Sequence, residues 1–344
     1  MIKGNPFGTH RVIEPIGYLP QPARKIDNNM EIFSNEILID VITLNVDSAS
    51  FTQIKNACEG SEEKIKKMIN DIVDERGKLQ NPVTGSGGML IGKVLKIGDD
   101  FPDKNLKVGD KIATLVSLSL TPLKIEEIKK VNTENDQVDI KGKAILFETG
   151  LYSVLPEDIP EKLALAVLDV AGAPAQVNKL VQPGMTVTII GGGGKSGVLC
   201  CYEAKKNAGK DGKVIVVEYS KENAERIKRM NLADEVFVMD ATKPVEVYNK
   251  IYEATEGKLC DVTINNVNVE GTEMSSILIT KDEGTVYFFS MATSFTRAAL
   301  GAEGVGKDIT MMIGNGYTKG HADLSLDILR ESEDIRKLFE KLYI

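Results

Sequence analysis

The stretch TVTIIGGGGKSGVLC, residues 186 to 200, constrains this chain more than any other. Its GGGGKSG core joins an apolar strand to a helix and admits two phosphate-binding devices, the P-loop and the dinucleotide fingerprint. A P-loop needs a glycine five positions ahead of its Gly-Lys pair, so that successive backbone N–H groups wrap the β-phosphate. Counting back from Gly194-Lys195-Ser196, that place is Ile189, inside the strand, and the P-loop reading fails.

The dinucleotide pattern G-x-G-x-x-G is met by Gly192, Gly194 and Gly197, with Gly193, Lys195 and Ser196 between them. Those glycines serve a tight turn, a close approach of backbone to pyrophosphate, and a helix packed flush on its strand. The rest of a βαβ unit surrounds them. Val187 to Ile190 is β-branched strand, Val198 to Lys206 is predicted helix, and KVIVV over 213 to 217 is a second buried strand. Glu218 ends that strand 21 residues after Gly197, near the spacing of about 20 at which a carboxylate meets the adenosine ribose diol. A carboxylate there repels the 2′-phosphate of NADP, and Tyr219 and Ser220 supply no arginine to hold it. NAD is therefore the expected cofactor, with Lys195 a cation near the pyrophosphate.

The formal charge of −8 argues against nucleic acid or an anionic membrane as partner. No apolar run reaches the roughly 18 residues of a membrane span, and MIKGNPFGTH lacks the apolar core of a signal peptide. The expectation is a cytoplasmic protein. Its four cysteines, Cys58, Cys200, Cys201 and Cys260, form no C-x-x-C pair, and with only His10 and His321 beside them no zinc cluster is expected.

At 344 residues two domains are expected. The first half reads as β-rich at 36–44, 91–98 and 107–125, interrupted by SEEKIKKMINDIVDERGK (61–78), where Ile65, Met68, Ile72 and Val73 fall at helical spacing. After the glycine loop, strands at 214–218, 235–240, 260–267, 284–290 and 308–314 alternate with helical segments, the order of a doubly wound parallel sheet. VYFFSM (286–291) and DITMMIG (308–314) are apolar enough to form an edge that builds a homodimer or homotetramer and equally apolar enough to be core strands, and SLDILRESEDIRKLFEKLYI closes as an amphipathic helix.

GKVLKIG followed shortly by KVGDKIATL, then a helix and a Rossmann unit, resembles the medium-chain dehydrogenase/reductase family over essentially the whole chain. The resemblance implies an α/β fold: a GroES-like β-barrel catalytic domain over 1–165, to which 318–344 returns, and a doubly wound Rossmann NAD-binding domain over 166–317. Zinc-dependent members carry a cysteine after the first strand pair and a Gly-His-Glu ahead of the G-x-V strand. Matching Glu36-Ile-Leu-Ile to the family's first strand puts Asp47 at the cysteine position; Gly87-Gly88-Met89 replaces Gly-His-Glu, and the third ligand region, LAVLDVAGAP, offers only Asp169. No metal is expected. Four less common segments, GNPFGTHRVIEP, LPQPARKIDN, EILIDVITLNVDSASFTQI and NPVTGSGGMLIGKV, resemble a narrower group within that family, dehydrogenases that deaminate a small diamino acid with NAD.

That chemistry needs a base to keep the reacting amine neutral. The resemblance points to Asp47 as this base and to Asp169 as a second carboxylate around a cationic substrate. The competing reading of Asp47 in N-V-D-S is a turn or cap residue. The substrate carboxylate calls for a forked cation: Arg297, after the strand ending at Ser290, or Arg11; Ser48 and Ser290 complete the candidates. His10 reads as a structural hydrogen-bonder. The rival readings are a zinc-free quinone or enoyl reductase and a non-catalytic NAD-binding protein.

Overall fold

The computed structural model describes residues 1–290, 292–314 and 316–343 and divides into two compact units between Ile159 and Pro160.

The first unit opens with a short hairpin, β1 (Val12–Glu14) and β2 (Lys25–Ile26). A six-stranded antiparallel sheet follows from β3 (Ile37–Asn45), with helices α1 (Ser48–Ala57) and α2 (Glu62–Arg76) inserted before β4 (Met89–Ile97). Then come β5 (Lys111–Thr114), β6 (Leu123–Asn132), β7 (Gln137–Leu146) and β8 (Tyr152–Val154), in the spatial order β6-β7-β3-β4-β5-β8. Along β3 the buried Ile37, Ile39 and Val41 share one face with period two. Helix α2 buries Ile65, Ile69, Ile72 and Val73 against the same core, and Met68 packs there half-buried. The periodicity placed this helix correctly; Ile69 takes the fully buried position expected of Met68, one residue away on the helical face.

The second unit starts with α3 (Glu161–Leu168) and α4 (Gly172–Leu180). The alternation then runs β9 (Thr186–Ile190), α5 (Lys195–Ala208), β10 (Lys213–Glu218), α6 (Lys221–Arg229), β11 (Glu235–Val238), α7 (Pro244–Ala254), β12 (Cys260–Asn265), α8 (Glu273–Ile279), β13 (Thr280–Phe288), α9 (Phe295–Gly304) and β14 (Thr310–Ile313). All strands pair parallel in the order β11-β10-β9-β12-β13-β14, so the winding reverses between β9 and β12. Ligands of open parallel sheets bind at that switch point, beyond the carboxyl ends of the strands. Burial on both faces explains the continuous apolar runs VTII and VIVV.

Of the two stretches read as edge or core, β13 lies inside the sheet and β14 at its edge; Met291, the last residue of VYFFSM, lies outside the described residues. One expectation changes here. The closing segment is two helices, α10 (His321–Glu331) and α11 (Glu333–Tyr343), broken at Ser332, with Ile344 beyond the described residues. They pack on α3, α4 and α5 of the second unit, which extends over 160–344, instead of leaving 318–344 to the first. Polar contacts fix them: Ser325 Oγ donates to the Ala171 carbonyl at 3.0 Å, and Lys206 of α5 reaches the Glu331 carboxylate at 2.7 Å. No helix among the described residues is long and apolar enough to cross a membrane.

Candidate functional site

The glycine loop fills the corner between β9 and α5. A Cβ on Gly197 would stand 2.0 Å from the Gly191 carbonyl oxygen, so only glycine lets α5 lie flush against the turn. Gly194 differs: a Cβ there would meet no protein atom within 4 Å, and it would project into open space at the α5 N-terminus. The first-turn N–H groups of a helix have no intrahelical partners and carry the positive end of its dipole. That open space beside Gly194, Lys195 and Ser196 fits a pyrophosphate.

Beside the loop is a cavity of about 280 Å³ lined by Val217, Tyr219, Met239, Val267 and Val269, among others. Its largely apolar walls, at the ends of β9 to β12, suit an adenine ring. Glu218 sits between cavity and loop. It is 7% exposed, its Oε2 accepts from the Gly193 N–H at 2.8 Å and its Oε1 from the Ser220 N–H at 3.0 Å. Each oxygen retains a further lone pair, so the carboxylate can still accept ribose hydroxyls while holding the loop. The residues present fit a dinucleotide.

Spacing arguments missed Arg226, on α6. Its Nη2 donates to the Gly193 carbonyl at 2.8 Å and to Asn223 Oδ1 at 2.7 Å. Its position eight residues beyond Glu218 matches no motif; only the amphipathic period of α6 could have turned attention to it. Lys195, at the first turn of α5, is 2.9 Å from Asp169 Oδ2, and its Nζ lies 5.2 Å from the Tyr343 ring centroid. Asp169, expected as a second carboxylate around the substrate, lies half-exposed at the C-cap of α3 and is paired with Lys195 within the second unit. Ser290 is buried just past β13, its Oγ accepting from the Ala292 N–H at 3.1 Å. Arg297, on the first turn of α9, is half-exposed and only loosely paired with Glu270 at 3.5 Å.

In the first unit Asp47 caps α1, its Oδ1 accepting from the Ser50 N–H at 3.0 Å. The cap reading thus accounts for one oxygen. The other, Oδ2, is buried and has no hydrogen-bond partner among the described residues. Ser48 Oγ donates to Asp136 Oδ2 at 2.8 Å. Arg11 is corrected: its guanidinium is 1% exposed and already spent. Nε and Nη2 grip Glu36 at 2.8 and 2.7 Å, and Nη1 and Nη2 donate to the Asn29 and Glu31 carbonyls. Four of its five N–H donors are taken and Nη1 also lies 3.7 Å from the Asp27 carboxylate, so the buried group already has its anionic partners. Burial acts to raise the Glu36 carboxyl, yet the Arg11 guanidinium, the His10 ring and the Phe33 amide hold it at about 2. His10 accepts at Nδ1 from the Asn5 N–H, so its Nε2 donates to Glu36 at 2.9 Å, a structural role. Among the described residues no three His, Cys, Asp or Glu side chains gather to hold a metal ion.

A two-unit chain with an antiparallel β-rich half and a dinucleotide-shaped Rossmann half is built as a medium-chain dehydrogenase/reductase that uses a nicotinamide cofactor. Solved structures agree on the fold: CurK enoyl reductase (TM-score 0.55, 14% identity, 91% of this chain and 84% of that one) and a quinone oxidoreductase of Pseudomonas syringae pv. Tomato (0.53, 18%, 89% and 83%). Residues 10–156 match the family model of the L-erythro-3,5-diaminohexanoate dehydrogenase N-terminal domain. Curated proteins named L-erythro-3,5-diaminohexanoate dehydrogenase from Fusobacterium nucleatum and Acetoanaerobium sticklandii are 63% and 62% identical, with all of both chains covered. The chain belongs to the L-erythro-3,5-diaminohexanoate dehydrogenase family.

Proposed function

We propose that this chain catalyses the NAD-linked oxidative deamination of L-erythro-3,5-diaminohexanoate at C3, giving 5-amino-3-oxohexanoate, ammonium and NADH, as a step of lysine fermentation in the cytoplasm. The observation that carries the reading is the full-length identity of 62–63% to two relatives bearing that enzyme's name. The enoyl and quinone reductases, at 14–18% identity, share only the fold.

A nicotinamide dinucleotide held through its pyrophosphate by Gly194, Lys195 and Ser196 would supply the acceptor for the C3 hydride. Asp47 is the proposed base: Oδ2 takes a proton from the C3 ammonium, and the neutral amine then supplies the hydride and is left as an iminium. Water adds to that iminium carbon, and loss of ammonia as ammonium leaves the ketone. Ser48 orients the substrate beside Asp47, and Arg297 is the remaining candidate for its carboxylate, since its guanidinium is only loosely engaged. Glu218 selects NAD through the ribose diol, and Ser290 faces the nicotinamide half. An iminium is already a strong electrophile, so the proposal needs no zinc, consistent with Asp47, Gly87-Gly88-Met89 and Asp169 at the three positions where zinc-dependent relatives of the fold place ligands. Pairing of β14 with its copy in a second chain is the proposed route to a homodimer.

The test is NADH formation by chelator-treated protein given the diamine with NAD or NADP, alongside simple alcohols, enones and quinones. NAD-linked turnover of the diamine alone supports the proposal; NADPH oxidation by an enone or quinone, with no amine turned over, defeats it. Asp47→Asn tests the base separately. Asn caps a helix as well as Asp does, so the fold should persist while the maximal rate falls by roughly 100-fold or more. An unchanged rate across pH would remove Asp47 from the chemistry.

A further inference from the structure

Two consecutive asparagines mark the end of β12, at the switch point, and their side chains turn to opposite faces of the sheet. Asn265 points toward α8, where its Nδ2 donates to Thr272 Oγ1 at 2.9 Å and to Ser276 Oγ at 3.0 Å, and its Oδ1 accepts from the Val267 N–H at 3.1 Å. Every polar atom of that side chain is satisfied. Asn266 turns toward α5, with its backbone N–H tied to the Ile190 carbonyl at 3.0 Å across the β9–β12 seam.

The Asn266 carboxamide is held at one end only. Cys200 Sγ lies 3.9 Å from Oδ1. Burial pushes that thiol up to about 12, so it stays protonated and donates, which turns the oxygen toward the cysteine and the NH2 group away. Nδ2, at the end of the amide away from Cys200, is closed to solvent and has no acceptor among the described residues. A buried donor without an acceptor is costly, and a ligand oxygen arriving in the crevice removes that cost.

The faces decide which part of the dinucleotide arrives. Ala241, Thr242, Val269 and Thr272, which line the adenine-sized cavity, belong to the connections entering α7 and α8. Asn266 is not among the cavity's lining residues; it lies under α5, whose N-terminus fits the pyrophosphate. Beyond the pyrophosphate the next acceptors on a nicotinamide dinucleotide are the hydroxyls of its second ribose. We infer that Asn266 is a cofactor-binding residue whose Nδ2 donates to a hydroxyl of the nicotinamide-side ribose, with Cys200 fixing the orientation of its amide. The inference rests on the dinucleotide reading of the glycine loop.

The test compares three ligands on the intact enzyme by calorimetric titration: NADH, ADP-ribose, which keeps the second ribose, and ADP, which lacks it. Asn266→Ala should weaken NADH and ADP-ribose by about 10-fold (about 1.4 kcal/mol) and leave ADP unchanged. Asn266→Leu, which removes the donor at nearly constant shape and adds no charge beside the pyrophosphate, should show the same selective loss if the alanine variant fails to fold. Cys200→Ser retains a donor and should preserve NADH affinity, whereas Cys200→Ala frees the amide and should lower it. Equal losses for ADP and NADH, or no loss for either, overturn the inference. Wild-type protein that binds none of the three ligands overturns the dinucleotide reading as well, an outcome distinct from normal binding that Asn266→Ala does not disturb.

Discussion

Replacing Glu218 by alanine separates two roles of one carboxylate. Its Oε2 holds the Gly193 N–H at 2.8 Å and its Oε1 the Ser220 N–H at 3.0 Å. A hydrogen bond to a charged acceptor contributes roughly 1.5–3 kcal/mol, so loosening the loop should weaken any dinucleotide by about 10-fold. The ribose contact adds a second loss, of roughly 1.5–3 kcal/mol again, for NAD alone. For NADP the second contribution changes sign. A 2′-phosphate carries roughly −1.5 to −2 charges, and near 4 Å from a carboxylate each unit costs about 1 kcal/mol even at the dielectric of water. Relief of that repulsion offsets the loosened loop. NAD should therefore weaken by about 100-fold or more while NADP changes by only a few-fold, collapsing the selectivity by about two orders of magnitude. Titration of NADH and NADPH fluorescence at one ionic strength measures both affinities, and thermal melting of the free protein controls for folding. Equal factors for the two cofactors would mean that Glu218 acts through the loop alone, and the ribose argument would be refuted.

The Lys195–Asp169 pair should compete with the pyrophosphate for one ammonium group. Asp169→Asn is expected to tighten NAD by about two- to five-fold, the range of a solvent-screened pair, and Lys195→Met to weaken it by about 10-fold with a shallower salt dependence; a weaker complex for Asp169→Asn would show the carboxylate helping the ligand. Glu36 makes an acid-stability prediction. Its folded value near 2 lies below the ordinary carboxylate value of 4.5, so its contribution is fully present above about 4.5 and is lost as the pH falls through about 2. That contribution amounts to about 3 kcal/mol. Denaturant titrations of Glu36→Gln should show a flatter loss of stability between these pH values than wild type, and an identical slope would contradict the assignment. Arg11→Met, which strands the Glu36 charge in the interior, should cost about 3–5 kcal/mol by the same measurement.

Periodicity made the second unit legible because a doubly wound sheet repeats one local rule: an apolar strand, a turn, an amphipathic helix. The glycine spacing and Glu218 pointed to a candidate ligand face for the same reason, since both lie within one βαβ unit. The first unit was legible mainly through helix α2, whose apolar period is local, and through resemblance. What sequence spacing could not supply was the identity of partners distant along the chain. Arg11 reads as a free cation until Glu36, 25 residues away, closes on it. Asp169 reads as a free acid until Lys195 reaches it from α5. Asn266 has an ordinary composition, and only the burial of its Nδ2 distinguishes it. The break at Ser332 was hidden because α10 and α11 each continue an apolar stripe, while their packing on α3, α4 and α5 is tertiary.

Gly193 is fastened on both sides. Its N–H is held by Glu218 and its carbonyl by Arg226, so the two successive peptide planes that meet at its Cα are both fixed. A loop fixed in this way needs no ordering when a ligand arrives, which removes an entropic cost from binding. The arrangement also manages charge. A buried carboxylate beneath an anion-binding corner would oppose the pyrophosphate, but the Arg226 guanidinium holds the carbonyl of the same residue, Gly193, and offsets that charge. On the proposed reading a bound pyrophosphate would face the α5 N-terminus and Lys195, and the carboxylate would face the ribose between cavity and loop. Glu218 would then discriminate at the 2′ position without weakening the phosphate site beside it. By the same reasoning Arg226→Leu, which leaves the Glu218 charge without its offset, should weaken NAD and ADP together, and a loss confined to NAD would show that Arg226 acts elsewhere on the cofactor.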